Sequence, residues 1–262
     1  MATVQVSGVE VAYERVGHGP PLVFVHGAGV DGRMWQPQLA ALADEFTVVA
    51  WDEPGAGRSS RVPSDFGLAD YAGCLAAVID ELRLGPAHVA GLSWGGTVVL
   101  ELYRCRPELV RTLVLADTYA GWKGSLPPEE VRARVDGVRK MLAAPPERFD
   151  PTLPGLFAGD PPAEFVPLLA AMADDVRPDS LGLQLTVMAE TDQRDLLPEI
   201  AVPTLLVWGE LDARSPLGVA HAFQEAIPDA ALVVLPGVGH VGNLEDPERF
   251  NRAVRGFCRT HP

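Results

Sequence analysis

Two hydrophobic spacings divide the chain. Residues 3–7 (TVQVS) and 9–16 (VEVAYERV) alternate apolar and polar side chains and meet at Ser7-Gly8, which predicts an antiparallel hairpin at a sheet edge. Six later runs are nearly continuous in apolar residues and rich in Val and Leu: 21–26 (PLVFVH), 46–51 (FTVVAW), 87–92 (AHVAGL), 111–117 (RTLVLAD), 203–209 (PTLLVWG) and 230–236 (AALVVLP). A strand covered on both faces needs that composition, so these runs predict a parallel sheet. Helical spacing lies between them, near 34–43, 68–83, 95–105, 215–226 and 246–259. Strand, helix and strand in repetition predict an α/β domain.

The alternation breaks between about 120 and 198, a proline-rich interval with no strand-like run. Helical spacing persists inside it. Val131, Val135, Val138, Met141 and Leu142 share one face, and Phe165, Leu168, Leu169 and Met172 share another. The interval is too long for a loop in a compact domain, so it reads as a helical insertion folded onto the main domain as a cap. The expected division is a core of 1–119 and 199–262 with a cap of 120–198. No internal repeat or low-complexity segment is present.

Composition narrows the function classes. An apolar fraction of 47% supports a real core. There is no run of about 18 apolar residues, and no basic stretch followed by an apolar one at the start, so neither a membrane span nor a secretory signal is expected. The default location is the cytoplasm. The formal charge of −14 would repel phosphate backbones and argues against a nucleic-acid partner. Cys74, Cys105 and Cys258 are odd in number and lack CxxC spacing, which disfavours a disulfide framework or a zinc site; they are expected to be buried packing residues.

The candidate chemistry starts at residues 88–102 (HVAGLSWGGTVVLEL), where a strand runs through glycines into a helix. Ser93 is placed on the turn between them. Such a turn holds a nucleophile in a strained conformation above the sheet, and Gly91, Gly95 and Gly96 supply neighbours without side chains. A serine needs a base, itself oriented by a carboxylate. Of the six histidines, His240 follows the last predicted strand in a Gly-rich loop. Asp212, just past the preceding strand in VWGELDARSP, is the preferred carboxylate, with Asp117 in VLADT as the competitor and Glu210 expected to be solvated. The backbone N–H groups of Ala28, in the turn HGAG, and of Trp94, next after the serine, are the expected oxyanion donors. His26 and Gly27 would then shape the turn rather than react.

The set FVHGAG, WDEPGAGRS, GLSWGG, GELDARSP and GVGH, in that order and over nearly the whole chain, resembles the α/β-hydrolase superfamily with a helical cap. The likeness is greatest to its small bacterial ester and lactone hydrolases, including the enol-lactonase-like and perhydrolase-like branches. The resemblance implies an α/β fold with an eight-stranded, mostly parallel sheet flanked by helices, a cap after the sixth strand, a Ser93-Asp212-His240 triad, and no cofactor or metal. It implies a structural turn for residues 52–59 (DEPGAGRS), so Asp52 and Arg58 take no catalytic part. Serine rather than aspartate at the elbow disfavours dehalogenase and epoxide hydrolase chemistry. The oxyanion turn HGAGVDG lacks the proline-containing version usual in carbon-carbon-bond hydrolases and proline iminopeptidases.

The expected activity is therefore hydrolysis of a small ester or lactone through an acyl-enzyme. Acyl transfer to another acceptor, including perhydrolysis, C–C bond hydrolysis on the same triad, and a hydrolase-like ligand receptor are the alternatives. Leu126, Leu153, Leu156, Phe157, Phe165, Leu168, Met172 and Met188 make the insertion apolar, which favours an apolar or mildly polar substrate group. Packing is the expected duty of Trp35, Tyr119 and Trp122.

Overall fold

The computed structural model describes residues 1–6, 8–143 and 155–262. Ser7, Leu153 and the side chains of Met141 and Leu142 lie outside the described residues. The strands are β1 Ala2–Val6, β2 Val9–Val16, β3 Pro21–Val25, β4 Thr47–Trp51, β5 Ala87–Leu92, β6 Val110–Ala116, β7 Thr204–Gly209 and β8 Ala230–Leu235. They form one eight-stranded sheet in the order β1-β2-β4-β3-β5-β6-β7-β8. β1 pairs antiparallel with β2, and β2 antiparallel with β4; every other pairing is parallel. The hairpin joins its strands at Gly8, whose φ of 78° suits a residue without a side chain.

The helices are α1 Gln36–Leu42, α2 Leu68–Glu81, α3 Trp94–Cys105, α4 Trp122–Ser125, α5 Pro128–Ala143, α6 Val166–Asp175, α7 Pro178–Glu190, α8 Leu217–Ala226, α9 Gly242–Glu245 and α10 Pro247–Arg259. Local sequence sets several of their ends. Asp70 Oδ2 accepts from the Gly67 N–H at 2.8 Å at the start of α2, and the Asp246 side chain caps α10 just before Pro247.

β3, β4, β5 and β7 are buried at nearly every position because two hydrophobic layers enclose the sheet. One joins Val23, Val89 and Leu113 to α2 and α3; the other joins Phe24, Ala50 and Val114 to Trp35 and Phe250. β8 departs from the expectation that its apolar run is covered on both faces. It forms the far edge of the sheet and only Leu235 in it is buried. An edge strand has a neighbour on one side alone, so its apolar side chains face less protein.

The interval between β6 and β7 is helical, with no strand among its described residues. Val131, Val135 and Val138 of α5 pack at the margin of the first layer, while Leu169 and Met172 of α6 are buried in the second. Polar contacts also fasten the interval to the rest. Arg177 donates to the carbonyls of Ser59 at 2.8 Å and Gly57 at 2.9 Å, and the Leu156 carbonyl accepts from the His240 N–H at 2.9 Å.

The cysteines are not joined in disulfides. Cys74 and Cys258 are buried as expected, but Cys105 is exposed. Its place in the last turn of α3, outside the face that packs on β5, is the reason. No helix among the described residues is long and apolar enough to cross a membrane.

Candidate active site

β5 ends at Leu92 and α3 begins at Trp94, leaving Ser93 alone on the turn with φ 55° and ψ −119°. The left-handed φ is costly for a side-chain-bearing residue, and the surroundings hold it there. The Ser93 N–H donates to the Ala116 carbonyl at 3.0 Å, continuing the β5–β6 ladder, and the Ser93 carbonyl accepts from the Gly96 N–H at 3.0 Å and from Thr118 Oγ1. A Cβ on Gly91 would meet the Gly95 backbone, and one on Gly95 would meet the carbonyl oxygens of Val25 and His26. The turn can close only with glycine at those two places.

Asp212 and His240 come from the loops after β7 and β8. Their side chains meet in a hydrogen bond of 2.8 Å between His240 Nδ1 and Asp212 Oδ2. The other carboxylate oxygen, Oδ1, accepts from the backbone N–H groups of Arg214 at 2.7 Å and Ser215 at 2.9 Å. Three donors thus fix Asp212, and Asp212 in turn fixes the imidazole.

Asp117, the competing carboxylate, is elsewhere engaged. It ends β6 with φ 46°, is fully buried, and accepts from the Gly209 N–H at 2.8 Å. Burial, reinforced by the neighbouring Asp212 carboxylate, pushes its pKa well above the usual range. That favours its uncharged form beside Asp212. Glu210 is exposed and accepts from the Gly237 N–H at 2.8 Å.

The turn after β3 carries Ala28, with His26 beneath it. The His26 ring is fully buried; Nδ1–H donates to the Gly27 carbonyl at 2.8 Å and Nε2 accepts from the Glu53 N–H at 3.0 Å. Burial lowers its pKa, so the ring is neutral and serves to shape this turn. Asp52 braces the same turn from below. Its oxygens accept from the Gly32 N–H at 3.0 Å and from Arg58 Nε and Nη2 at 2.7 and 2.8 Å. Burial works against ionisation of Asp52, but the Arg58 contacts prevail and hold its pKa low.

Glu53 had no role in the sequence reading and is a buried hub. Its Oε2 accepts from the indole Nε1 of Trp94 at 2.7 Å, and its Oε1 is bound by the Gln184 side chain of α7. Burial raises its pKa well above that of a free carboxylic acid.

Ser93, His240 and Ala28 line one cavity, with about 880 Å3 of empty space counted to its open mouth. Of the insertion's apolar residues named from the sequence, Leu156, Phe157, Met172 and Met188 line it. Leu126 is buried in the first layer instead, and Phe165 and Leu168 pack beside the second. Tyr119 and Trp122 reach the cavity wall, whereas Trp35 stacks between Phe24 and Phe250 at ring separations of 4.6 and 5.9 Å. Arg134 and Arg214 also line it, and no local sequence signal marks them. Among the described residues no group of three or more His, Cys, Asp or Glu is arranged to hold a metal ion.

The profile of the alpha/beta hydrolase family matches residues 22–253. The chain belongs to that family. It is 33% identical over 252 residues to the candidate carbamate hydrolase RutD of Pseudomonas syringae pv. syringae, covering 93% of this chain and 95% of the relative. Among solved structures it is similar to an esterase from Thermogutta terrifontis, with a TM-score of 0.85, 29% identity, and coverage of 100% and 99% of the two chains. An enol-lactonase from Burkholderia xenovorans LB400 matches with a TM-score of 0.82 and 26% identity, covering 98% of this chain and all 100% of its own. This α/β-hydrolase therefore has esterase and lactonase relatives, and the expected fold, an eight-stranded mostly parallel sheet flanked by helices, is the fold observed.

Proposed function

We propose that this hydrolase is a serine enzyme that cleaves carboxylic esters or lactones of small, largely apolar substrates through an acyl-enzyme. The observation that carries the reading is the His240 Nδ1 to Asp212 Oδ2 hydrogen bond at 2.8 Å, in the wall of the cavity that Ser93 lines from its strained turn. His240 Nε2 accepts the Ser93 proton as the oxygen attacks the carbonyl, while Asp212 holds the ring and stabilises its cationic form. The backbone N–H groups of Ala28 and Trp94 receive the oxyanion. The protonated imidazole gives its proton to the departing alcohol, and water activated by the same ring then releases the acid. In this reading residues 120–198 form a cap over a core of 1–119 and 199–262, and the apolar side chains the cap contributes to the cavity set the substrate class.

A second reading is favoured by the RutD relative: the same attack on a carbamate carbonyl. A panel of p-nitrophenyl esters, lactones and p-nitrophenyl carbamates separates the two, with kcat/KM expected to favour esters or lactones. Ser93→Ala should lower kcat on the order of 10⁶ and abolish labelling by a fluorophosphonate probe. Near-normal ester turnover in Ser93→Ala would defeat the proposal.

A further inference from the structure

The apolar wall of the cavity is interrupted at one corner, where Arg134 of α5 and Arg214 of the loop after β7 meet the rings of Tyr119 and Trp122. The two arginines are held differently. Arg134 is committed to the protein: Nη1 donates to Tyr119 Oη at 3.1 Å, and Nη2 donates to Glu130 Oε1 at 2.6 Å and to the Arg214 carbonyl at 2.7 Å. Its guanidinium also lies 5.6 Å from the Tyr119 ring centre and 5.3 Å from that of Trp122. Among the described residues the hydrogen bonds of Arg214 run through its backbone. Its N–H donates to Asp212 Oδ1 at 2.7 Å, and its carbonyl accepts from Tyr119 Oη at 2.6 Å as well as from Arg134.

Among the described residues the Arg214 guanidinium makes no hydrogen bond or ion pair. Burial lowers its pKa, only partly offset by attraction from Tyr119 and Asp212. Asp212 is near enough to raise the Arg214 pKa through its charge, but its hydrogen bonds go to the backbone N–H groups of Arg214 and Ser215 and to His240, and none to the Arg214 guanidinium. A half-buried planar fork of donors in a cavity wall, without an acceptor among the described residues, is well suited to an acceptor brought from outside. The chain as a whole carries −14 and has no long-range attraction for anions, so the cationic corner is a local device.

We propose that Arg214 is the recognition point for a carboxylate on the substrate, with Arg134 and Tyr119 as residues that position it. The substrate class is then an ester or lactone with an apolar middle and one anionic end; this rests on the reading of Ser93 as the nucleophile. One unpartnered guanidinium matches a planar monoanion through two parallel N–H···O bonds, whereas a dianionic phosphate would leave charge uncompensated in an otherwise apolar wall.

The test compares mono-p-nitrophenyl adipate, pimelate and suberate with p-nitrophenyl hexanoate and with the phosphonate analogue of the adipate ester. Wild type should favour the best carboxylate half-ester over the neutral ester by about 10- to 100-fold in kcat/KM. That ratio should fall to near one in Arg214→Met and to an intermediate value in Arg214→Lys. A second arm measures calorimetric binding of monomethyl and dimethyl adipate to Ser93→Ala, where the monoanion should bind at least about tenfold more tightly. Equal treatment of charged and neutral compounds by wild type and by Ser93→Ala overturns the proposal, whatever the variants at 214 do. Preference for the phosphonate overturns the carboxylate assignment. Absence of turnover on every ester, with monomethyl adipate still preferred, would instead overturn the hydrolase mechanism and leave the anion site standing.

Discussion

The sharpest discrimination is between two buried carboxyls, Asp212 and Asp117, each replaced by asparagine. In Asp212→Asn the amide must present either its oxygen or its NH2 to two incompatible sets of partners. Oδ1 of Asp212 accepts two backbone N–H groups at 2.7 and 2.9 Å, and Oδ2 accepts from His240 Nδ1 at 2.8 Å. Keeping the amide oxygen on the backbone donors turns NH2 toward His240 and forces Nδ1 to accept. The ring proton then moves to Nε2, which can no longer take the serine proton. A wrong tautomer of this kind costs about 10⁴ in kcat, or about 5 kcal/mol of transition-state stabilisation. In Asp117→Asn the amide oxygen can still accept from the Gly209 N–H, and the NH2 replaces Oδ2, a buried oxygen with no hydrogen-bond partner among the described residues, on a carboxyl whose neutral form burial already favours. Loss there should stay within about tenfold, or ~1.4 kcal/mol. Steady-state kinetics on p-nitrophenyl butyrate, with thermal denaturation of both variants, makes the comparison. A collapse in Asp117→Asn with a mild effect in Asp212→Asn would refute the reasoning and move the relay to residue 117.

Glu53→Gln should change stability by less than about 1 kcal/mol, because its amide oxygen can keep the Trp94 bond while its NH2 donates to the otherwise unpartnered Gln184 Oε1 once that amide turns over, whereas Glu53→Ala should cost about 2–4 kcal/mol by stranding Trp94 Nε1 and Gln184. Urea denaturation reads both, and a larger loss in Gln than in Ala would show that Glu53 is charged. His88 is buried with Nδ1 at 2.8 Å from Thr112 Oγ1, and burial lowers its pKa from 6.5 to about 4. The unfolded chain therefore takes up a proton near 6.5 that the folded chain refuses until about 4, so stability falls as pH drops through that window, by at most about 3 kcal/mol. Glu53 and Asp117, with raised values, slope the other way, so the readout is the difference between wild type and His88→Gln from pH 7 to 4; a flat difference would contradict the shift.

The strand runs were legible because a buried parallel strand is apolar throughout, and all eight strands sit where spacing alone places them within a residue. The serine turn was equally legible, since close backbone approach excludes every residue but glycine at positions adjacent in sequence. What escaped is long-range. Glu53 looks like a surface residue of a polar turn, and only Gln184, 131 positions away, and Trp94 make it interior. Arg134 occupies what reads as the polar side of an amphipathic helix, yet its head is turned onto Tyr119 and Trp122. β8 has the composition of a central strand and lies at an edge, because run composition records apolar content and not how many neighbours the sheet provides.

Three carboxyls surround the proposed relay, and the donors each receives separate their duties. Asp212 faces three N–H groups and so offers the imidazole a fixed acceptor. Asp117 receives one backbone donor and abuts Asp212, so two like charges in one buried space are avoided by keeping it neutral. Glu53 is bound by neutral donors alone, with no cation against it, and is likewise held neutral; it joins Trp94, the first residue of α3, to Gln184 on α7. A displacement of α7 by substrate would therefore be felt at the residue whose backbone N–H is the proposed oxyanion donor. The uncharged Glu53 link makes that coupling mechanical rather than electrostatic, so it should be insensitive to ionic strength, unlike the recognition assigned to Arg214.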